Sequence, residues 1–421
     1  MNPFSSTAGA SLRTRLQRTF RSLGQRNYRI WAAGAFVSNV GTWMQRIAQD
    51  WLVLTQLSNH SGAAVGVVMA LQFGPPIILM PVVGRVADRV DRRKLLLATQ
   101  SAMAATALGL GLLVITGVVT LWQVYVFAGL MGCISAFDAP VRQTFVAELV
   151  GDEDLPNAIA LNSTLFNSAQ LIGPAIAGVL IAALGTGWLF IINGLSFIAV
   201  LTSLLKMRVS ELRPLPNRSV AGAGMLDGLR YVKHKPDLVI ALIMLFVVGT
   251  YGINFPIFIS TMSVTTFQGG PHLYGALSSA LAVGSVVGAL LAAGRDQPRL
   301  TLLATSACGF GAAGTLAAVM PNVWSFGLTL VALGAMSQTF TTSTNSLVQL
   351  RTDPAMRGRV MAIYMAIFLG CTPLGAPAIG WIADVFGPRW ALGVGAASGV
   401  VAAIFAVVYH RFYRAKSQAT H

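Results

Sequence analysis

Charge is what this chain has least of. Only 10% of its 421 residues are Asp, Glu, Lys or Arg, against roughly 25% in soluble domains. With 55% apolar residues, the deficit excludes an ordinary water-exposed surface and identifies an integral membrane protein. Acidic residues are scarcer still, 14 against 29 basic ones. The resulting +15 would suggest nucleic acid in a soluble protein, but in a bilayer the placement of basic residues matters more than their sum, and no nucleic-acid partner is expected. Three cysteines, Cys133, Cys308 and Cys371, lie far apart inside apolar runs, which excludes a disulfide framework or a paired metal motif; they are read as small buried apolar residues. The five histidines (His60, His234, His272, His410, His421) fall in loops, near run ends or at the terminus, outside any metal or nucleophile motif. No metal, cofactor or catalytic residue is therefore expected, and an acyltransferase or redox enzyme is disfavoured. Gly-x-x-x-x-Gly-Lys-Ser/Thr is also missing, which leaves ATP without an evident site.

Long apolar runs are what the chain has in abundance. About 20 residues of helix cross a hydrocarbon core of about 30 Å, and the sequence divides into twelve runs of that order: 28–56, 61–84, 95–117, 120–147, 157–184, 187–207, 237–260, 272–294, 299–319, 322–349, 358–385 and 389–410. With both termini in the cytoplasm, every basic residue except Arg46 and Arg389 falls on or beside the cytoplasmic face, as the positive-inside rule requires. A multi-pass protein of the cell (plasma or inner) membrane is expected. Arg13, Arg15, Arg18 and Arg21 among Leu12, Leu16, Phe20 and Leu23 suggest an interfacial helix. A secretory signal fits less well, since the following run is too long and lacks a small-x-small cleavage site.

The twelve runs repeat. Shifted by 202 residues, Ala160 meets Ala362, Phe166 meets Phe368, Gly173 meets Gly375, Gly178 meets Gly380, Gly185 meets Gly387 and Trp188 meets Trp390. The chain thus reads as a cytoplasmic amphipathic segment (1–26), a six-helix bundle (27–207), a cytoplasmic linker (208–236) holding Pro214 and Pro216, a second six-helix bundle (237–411) and a cytoplasmic tail (412–421). In the linker, Met225, Leu226, Leu229 and Tyr231 are placed for a short surface helix. Paired six-helix halves place a solute site near the bilayer midplane between them.

Between the second and third runs stands Gly84-Arg-Val-Ala-Asp88-Arg89-Val-Asp-Arg92-Arg93-Lys94, a charged hinge that cannot lie in hydrocarbon. Gly84-x-x-x-Asp88-Arg89-x-x-Arg92-Arg93 resembles the signature of the major facilitator superfamily, with Asp91 where that pattern has Gly. Gly41-Thr-Trp43-Met44-Gln45 and Trp51-Leu-Val narrow the resemblance to its exporter branch, which includes the enterobactin exporter and drug-efflux proteins. Gly294-Arg295-Asp296 with Arg299 is a remnant of the signature in the second half. The resemblance implies an all-α fold of twelve transmembrane helices in two pseudo-symmetric halves. It also implies alternating access, proton coupling and a charge relay joining the hinge to an acid of the fourth span, here Asp138.

The residues themselves support a gate at that hinge. Asp88 and Arg92 fall one turn apart if helix runs through them, and Asp138 and Arg142 share one face of the fourth span. These four form a candidate latch on the inward side. The alternative is that the basic residues only hold the loop inside. In the first span, Asn39, Thr42, Arg46 and Asp50 recur at helical spacing, a stripe expected to line the pathway. Asp50 with Arg46 is either the proton-coupling site or a permanent ion pair. Asp384 is read as interfacial. Gly173-Pro174-x-x-Ala-Gly178 resembles a shortened antiporter motif, and close helix approach there would seal one side of the cavity; Gly62-x-x-x-Gly66 and Gly284-x-x-x-Gly288 are read as packing. Further cavity candidates are Trp43, Asn162, Asn167, Gln170, Tyr251, Asn254, Gln338, Tyr364 and Phe368.

The reading that follows is a monomeric secondary exporter, with protons as its coupling ion and an amphiphilic small molecule, drug or siderophore as its substrate. Uptake by the same fold and a non-transporting membrane sensor are the alternatives.

Overall fold

Helices start where side chains can satisfy their free N–H groups and break where prolines withhold one. In the computed structural model, residues 20–151, 153–213, 225–293 and 299–418 are described, and they contain no strand. Helix α1 (Arg26–Leu52) runs into a π-turn at Val53–Leu57. Ser61 caps α2 (Gly62–Phe73), its hydroxyl accepting the Ala64 N–H. Pro75 and Pro76 interrupt this span at Gly74, and it resumes as α3 (Pro75–Arg89). Asp91 caps α4 (Arg92–Ile115) by accepting the Lys94 N–H at 2.9 Å. Thr120 and Gln123 form a reciprocal capping box on α5 (Leu121–Val150). Next, α6 (Leu155–Leu184) and α7 (Thr186–Lys206) turn at Gly185, whose φ of +84° suits only glycine.

The linker's surface helix is α8 (Met225–Lys233). The seventh span is α9 (Pro236–Val247), a π-turn at Val248–Gly252, α10 (Phe255–Thr261) and a second π-turn at Met262–Thr266, so it outruns its expected end. Then come α11 (Pro271–Ala293), α12 (Leu300–Val319), α13 (Val323–Arg351), α14 (Arg357–Phe386) and α15 (Pro388–Gln418). Among the described residues, eleven stretches are long and apolar enough to cross a bilayer. The twelfth crossing is α1 with its π-turn, which has the length but carries Asn39, Gln45, Arg46, Gln49 and Asp50. Residues 1–19, 152, 214–224, 294–298 and 419–421 lie outside the described residues, and with them most of the expected interfacial segment, the Gly294-Arg295-Asp296 remnant and the end of the expected tail.

The hinge at 89–94, the described ends of the linker at 208–213 and 225–235 and the 351–357 turn share one face, hereafter the basic face; the turns near 58–61, 185, 267–270 and 387 form the far face. Trp122, Trp188, Trp324, Trp381 and Trp390 are all exposed close to far-face helix ends.

The duplication is visible in packing. A Cβ on Gly173 of α6 would lie 2.6 Å from the Trp43 Cβ on α1, and one on Gly375 of α14 would lie 1.6 Å from the Thr250 carbonyl oxygen after α9. Gly178 faces the Pro271 carbonyl of α11 and Gly380 faces the Gly62 carbonyl of α2, where added Cβ atoms would approach to 2.9 and 2.3 Å. Each of these matched helices therefore packs on the first span of its own half and the second span of the other. Gly284 and Gly288 likewise press α11 against α13.

Two cysteines differ from expectation: Cys133 and Cys308 are exposed, and only Cys371 is buried. An outward helix face in a bilayer meets lipid as apolar as a core, so an apolar run does not distinguish the two. Gly375→Ala is expected to destabilise the protein by about 1–3 kcal/mol through overpacking, whereas Gly393→Ala, inside a helix and with nothing within 4 Å of the added Cβ, leaves the unfolding midpoint in detergent unchanged or raises it through helix propensity.

Candidate transport cavity and gates

The polar stripe of α1 faces inward on its own half. Asn39, Thr42, Gln45, Arg46 and Gln49 form one wall of a cavity of about 520 Å³, with Gln72 and Phe73 of α2, Ser135, Asp138, Arg142 and Gln143 of α5, Asn162, Phe166 and Asn167 of α6, and Asn193 of α7 around it. Of the expected cavity residues, Asn39, Asn162 and Asn167 line it. Trp43 stands behind, edge-on to Phe166 at 5.8 Å, and Gln170 is not part of the lining.

The second-half candidates do not reach this cavity. Tyr251 is exposed. Asn254 is buried and donates to the Thr250 carbonyl at 2.7 Å, Gln338 donates to the Thr342 hydroxyl at 3.2 Å, and Tyr364 stacks on Phe368 at 6.1 Å. Polarity within a span shows that a residue needs a partner, not which half supplies it.

Asp50 and Arg46 part company. The Asp50 carboxylate accepts the Tyr274 hydroxyl of α11 at 2.8 Å, across the two halves. Arg46 turns away, its guanidinium 4.7 Å from the Trp43 ring centroid and 5.5 Å from that of Phe73. No ion pair joins Arg46 to Asp50 among the described residues, which corrects the permanent-pair reading; Tyr274 had no signal in sequence beyond lying near a span end.

Of the four latch candidates, Arg92, Asp138 and Arg142 fall into two separate clusters. Helix does not run from Asp88 to Arg92, because α3 ends at Arg89, Val90 is extended and Asp91 opens a new helix; the Asp88 side chain lies outside the described residues. Arg92 pairs with Glu148 of α5, and the Arg93 Nε donates to the Leu204 carbonyl at 2.8 Å. Arg89 is exposed and Gly84 stands in open space. Asp138 belongs to a separate buried knot, accepting from Thr99 at 2.8 Å, Gln100 at 2.7 Å and Arg142 at 2.5 and 3.0 Å. Arg142 also donates to Asn39 at 3.1 Å, tying α1, α4 and α5 together. Glu148 was the acid available to Arg92 at the same end of the neighbouring span.

On the far face, Asp384 is more than interfacial. Its carboxylate accepts from the Ser61 hydroxyl at 2.7 Å and from the Gly62 and Ala63 N–H groups at 2.5 and 3.1 Å. An acid of α14 thus caps α2 across the halves, where a helix N-terminus favours negative charge. Ser279 of α11 adds a bond to the Leu171 carbonyl of α6 at 3.1 Å. With Asp50–Tyr274, the hydrogen bonds joining the halves among the described residues lie in the far part of the spans. Gly173, Pro174 and Gly178 belong to the same closure, since a Cβ on Gly275 of α11 would meet the Pro174 carbonyl at 2.4 Å.

On the basic face, α8 is docked to the second half. The Tyr231 hydroxyl donates to Asp353 at 2.8 Å and accepts its N–H at 3.0 Å; Lys235 reaches Asp353 at 3.2 Å, and Arg359 reaches Asp227 at 3.7 Å. The bonds from Tyr231 and then Lys235 hold the Asp353 carboxyl below the usual carboxylate range. Bonding to Tyr231 and then Asp353 holds the Lys235 ammonium above the usual lysine range.

Taken as a backbone, this is a twelve-span transporter fold. It superposes on the nucleoside transporter NupG with a TM-score of 0.70 at 12% identity, covering 91% of this chain and 98% of that one. The D-xylose-proton symporter superposes with a TM-score of 0.70 at 15% identity, covering 90% and 96%. The profile of the family described as transmembrane secretion effector matches residues 17–421, and the chain belongs to that family of the major facilitator superfamily. It is 26% identical over 360 residues to the staphyloferrin A transporter of Staphylococcus aureus, covering 84% of this chain and 89% of that one. It is equally 26% identical to the multidrug efflux pump Tap of Mycolicibacterium fortuitum over 374 residues, covering 84% and 88%, and to the enterobactin exporter EntS of Escherichia coli over 357 residues, covering 84% of each. The protein is a multi-pass membrane transporter of small molecules, not an enzyme.

Asp384→Ala is expected to cost about 1–3 kcal/mol by leaving N–H donors uncapped, with Asp384→Asn retaining part of the loss, as read by unfolding midpoints in detergent. For α8, the Asp353 contribution is present above the usual carboxylate range and fades as pH falls through its depressed value; that of Lys235 is present below the usual lysine range and fades as pH rises through its raised value. The protection of α8 amides, taken relative to intrinsic exchange at each pH, is therefore expected to stay flat across neutral pH and fall only in strong acid or strong alkali, while Tyr231→Phe lowers it throughout.

Proposed function

We propose that this chain is a proton-driven exporter that takes small molecules from the cytoplasm by alternating access. One observation carries the reading: the halves are bonded toward the far face, while the polar cavity extends toward the basic face, where Gln143 sits only about 10 Å of helix from the end of α5. That is the arrangement of a transporter closed outward and accessible inward, with the basic face and both termini in the cytoplasm and the bundles 27–207 and 237–411 as its rocking units. It acts as a monomer without nucleic acid.

Asp50 is the coupling acid in this mechanism. Its carboxylate holds the Tyr274 hydroxyl across the outer closure, and a proton arriving from outside would weaken that charge-assisted bond and favour the outward-open form. Release of the proton inward restores the bond and returns the cavity to the cytoplasm. The Arg92–Glu148 pair and the Asp138–Arg142 knot steady the inward end of the first bundle, with Gly84, Asp88, Arg89 and Arg93 at its hinge.

Two of the relatives supply the direction, one named an exporter and one an efflux pump. The test is flux in inverted vesicles with an imposed pH gradient. Accumulation of a fluorescent amphiphile on acidifying the lumen is expected, with loss of gradient-driven uptake in Asp50→Asn; full activity in that variant excludes Asp50 as the coupling acid, and accumulation in whole cells reverses the direction.

A further inference from the structure

Arg46 is a cation with aromatic neighbours and no acid in contact. Its guanidinium lies over Trp43 and Phe73, faces the cavity, and makes no hydrogen bond among the described residues. Ring contacts satisfy the face of a guanidinium but leave its in-plane N–H fork free. A span-buried Arg normally pairs with an acid or a carbonyl. The acid one turn away, Asp50, is committed to Tyr274.

The remaining cavity charges point the same way. Arg142 and Asp138 neutralise one another, and Asp138 is further occupied by Thr99 and Gln100. No uncommitted carboxylate therefore lines the cavity. Beyond the linker helix the second half holds only Asp237, Asp296, Asp353 and Asp384; Asp384 is consumed in capping α2, and the other three flank span ends. The wall thus presents one guanidinium with no ion-pair partner in contact, its nearest acid Asp50 lying outside the lining and bonded to Tyr274, beside aromatic rings and a ring of amides.

We infer that the cavity binds an anionic solute carrying a carboxylate or a chemically similar oxyanion next to an apolar or aromatic body, with Arg46 as its docking cation. The inference rests on the transporter reading and deepens it by naming the substrate class. A cationic amphiphile, the other common efflux cargo, would find no acid to pair with and would have to sit against Arg46.

The experiment measures binding, not flux, so it is blind to direction and coupling. Purified protein in detergent is titrated with a matched series, naphthoate, naphthamide and a naphthylmethyl ammonium ion, by calorimetry. Naphthoate is expected to bind about ten-fold or more tighter than its neutral and cationic analogues, the range of a charge-assisted hydrogen bond. Arg46→Gln abolishes the preference and Arg46→Lys keeps part of it. Equal or tighter binding of the ammonium ion overturns the inference, as does failure of naphthoate to bind at millimolar concentration or undiminished preference in Arg46→Gln. Anionic phosphatidylglycerol is the second arm: binding of that lipid without binding of naphthoate assigns the guanidinium to a headgroup and also overturns it. If Arg46→Gln does not fold, the charge preference of the unmodified protein still decides.

Discussion

The two halves are held together by backbone meeting backbone on the far side of the bilayer. Lipid offers no hydrophobic drive for helix association, so close approach through small residues must supply it. Here Gly66 lies where a Cβ would come 2.4 Å from the Ala376 carbonyl, and Gly275 the same distance from that of Pro174. Such contacts admit no side chain and little sliding. The polar bonds of Asp384, Tyr274 and Ser279 are laid over this contact and inherit its geometry. A rigid seam on one face with a polar hollow toward the other is what permits two bundles to rock as bodies, since neither has to deform for the cavity to change sides.

Ionisable groups inside the spans are each managed differently, as their cost in a bilayer demands. Asp138 is saturated by three donors within its own half and joins helices, so removing one partner would strand a buried charge. Asp50 and Asp384 instead take their partners from the opposite half, which makes their bonds conditional on which side is closed. Arg46 leans on aromatic faces. Local saturation builds a bundle, and bonding between bundles reports its state.

Much of this was legible in the residues. Twelve spans, their order and the duplication follow from apolar length and the spacing of Gly173, Gly178, Gly375 and Gly380, because those features are local or repeated. Of the stripe on α1, Asn39, Thr42 and Arg46 line the hollow of the first half. What could not be read was pairing at long separation. Asp50 with Tyr274 and Asp384 with Ser61 join residues more than half the chain apart, and a lone acid in a span signals need without naming its donor. The hinge differs for another reason: a four-residue spacing fixes a shared helix face only if helix is continuous, and the extended backbone at Val90 interrupts it.

The exposed tryptophans near the far ends of α5, α7, α13, α14 and α15 face a rim of arginines and lysines at the other surface. Indoles prefer one shallow depth among the headgroups, whereas long cationic side chains can stretch to follow a shifting boundary. The molecule is therefore moored on one leaflet and merely tethered on the other. A thinner or thicker membrane would be absorbed at the arginine rim, leaving the glycine seam at constant depth.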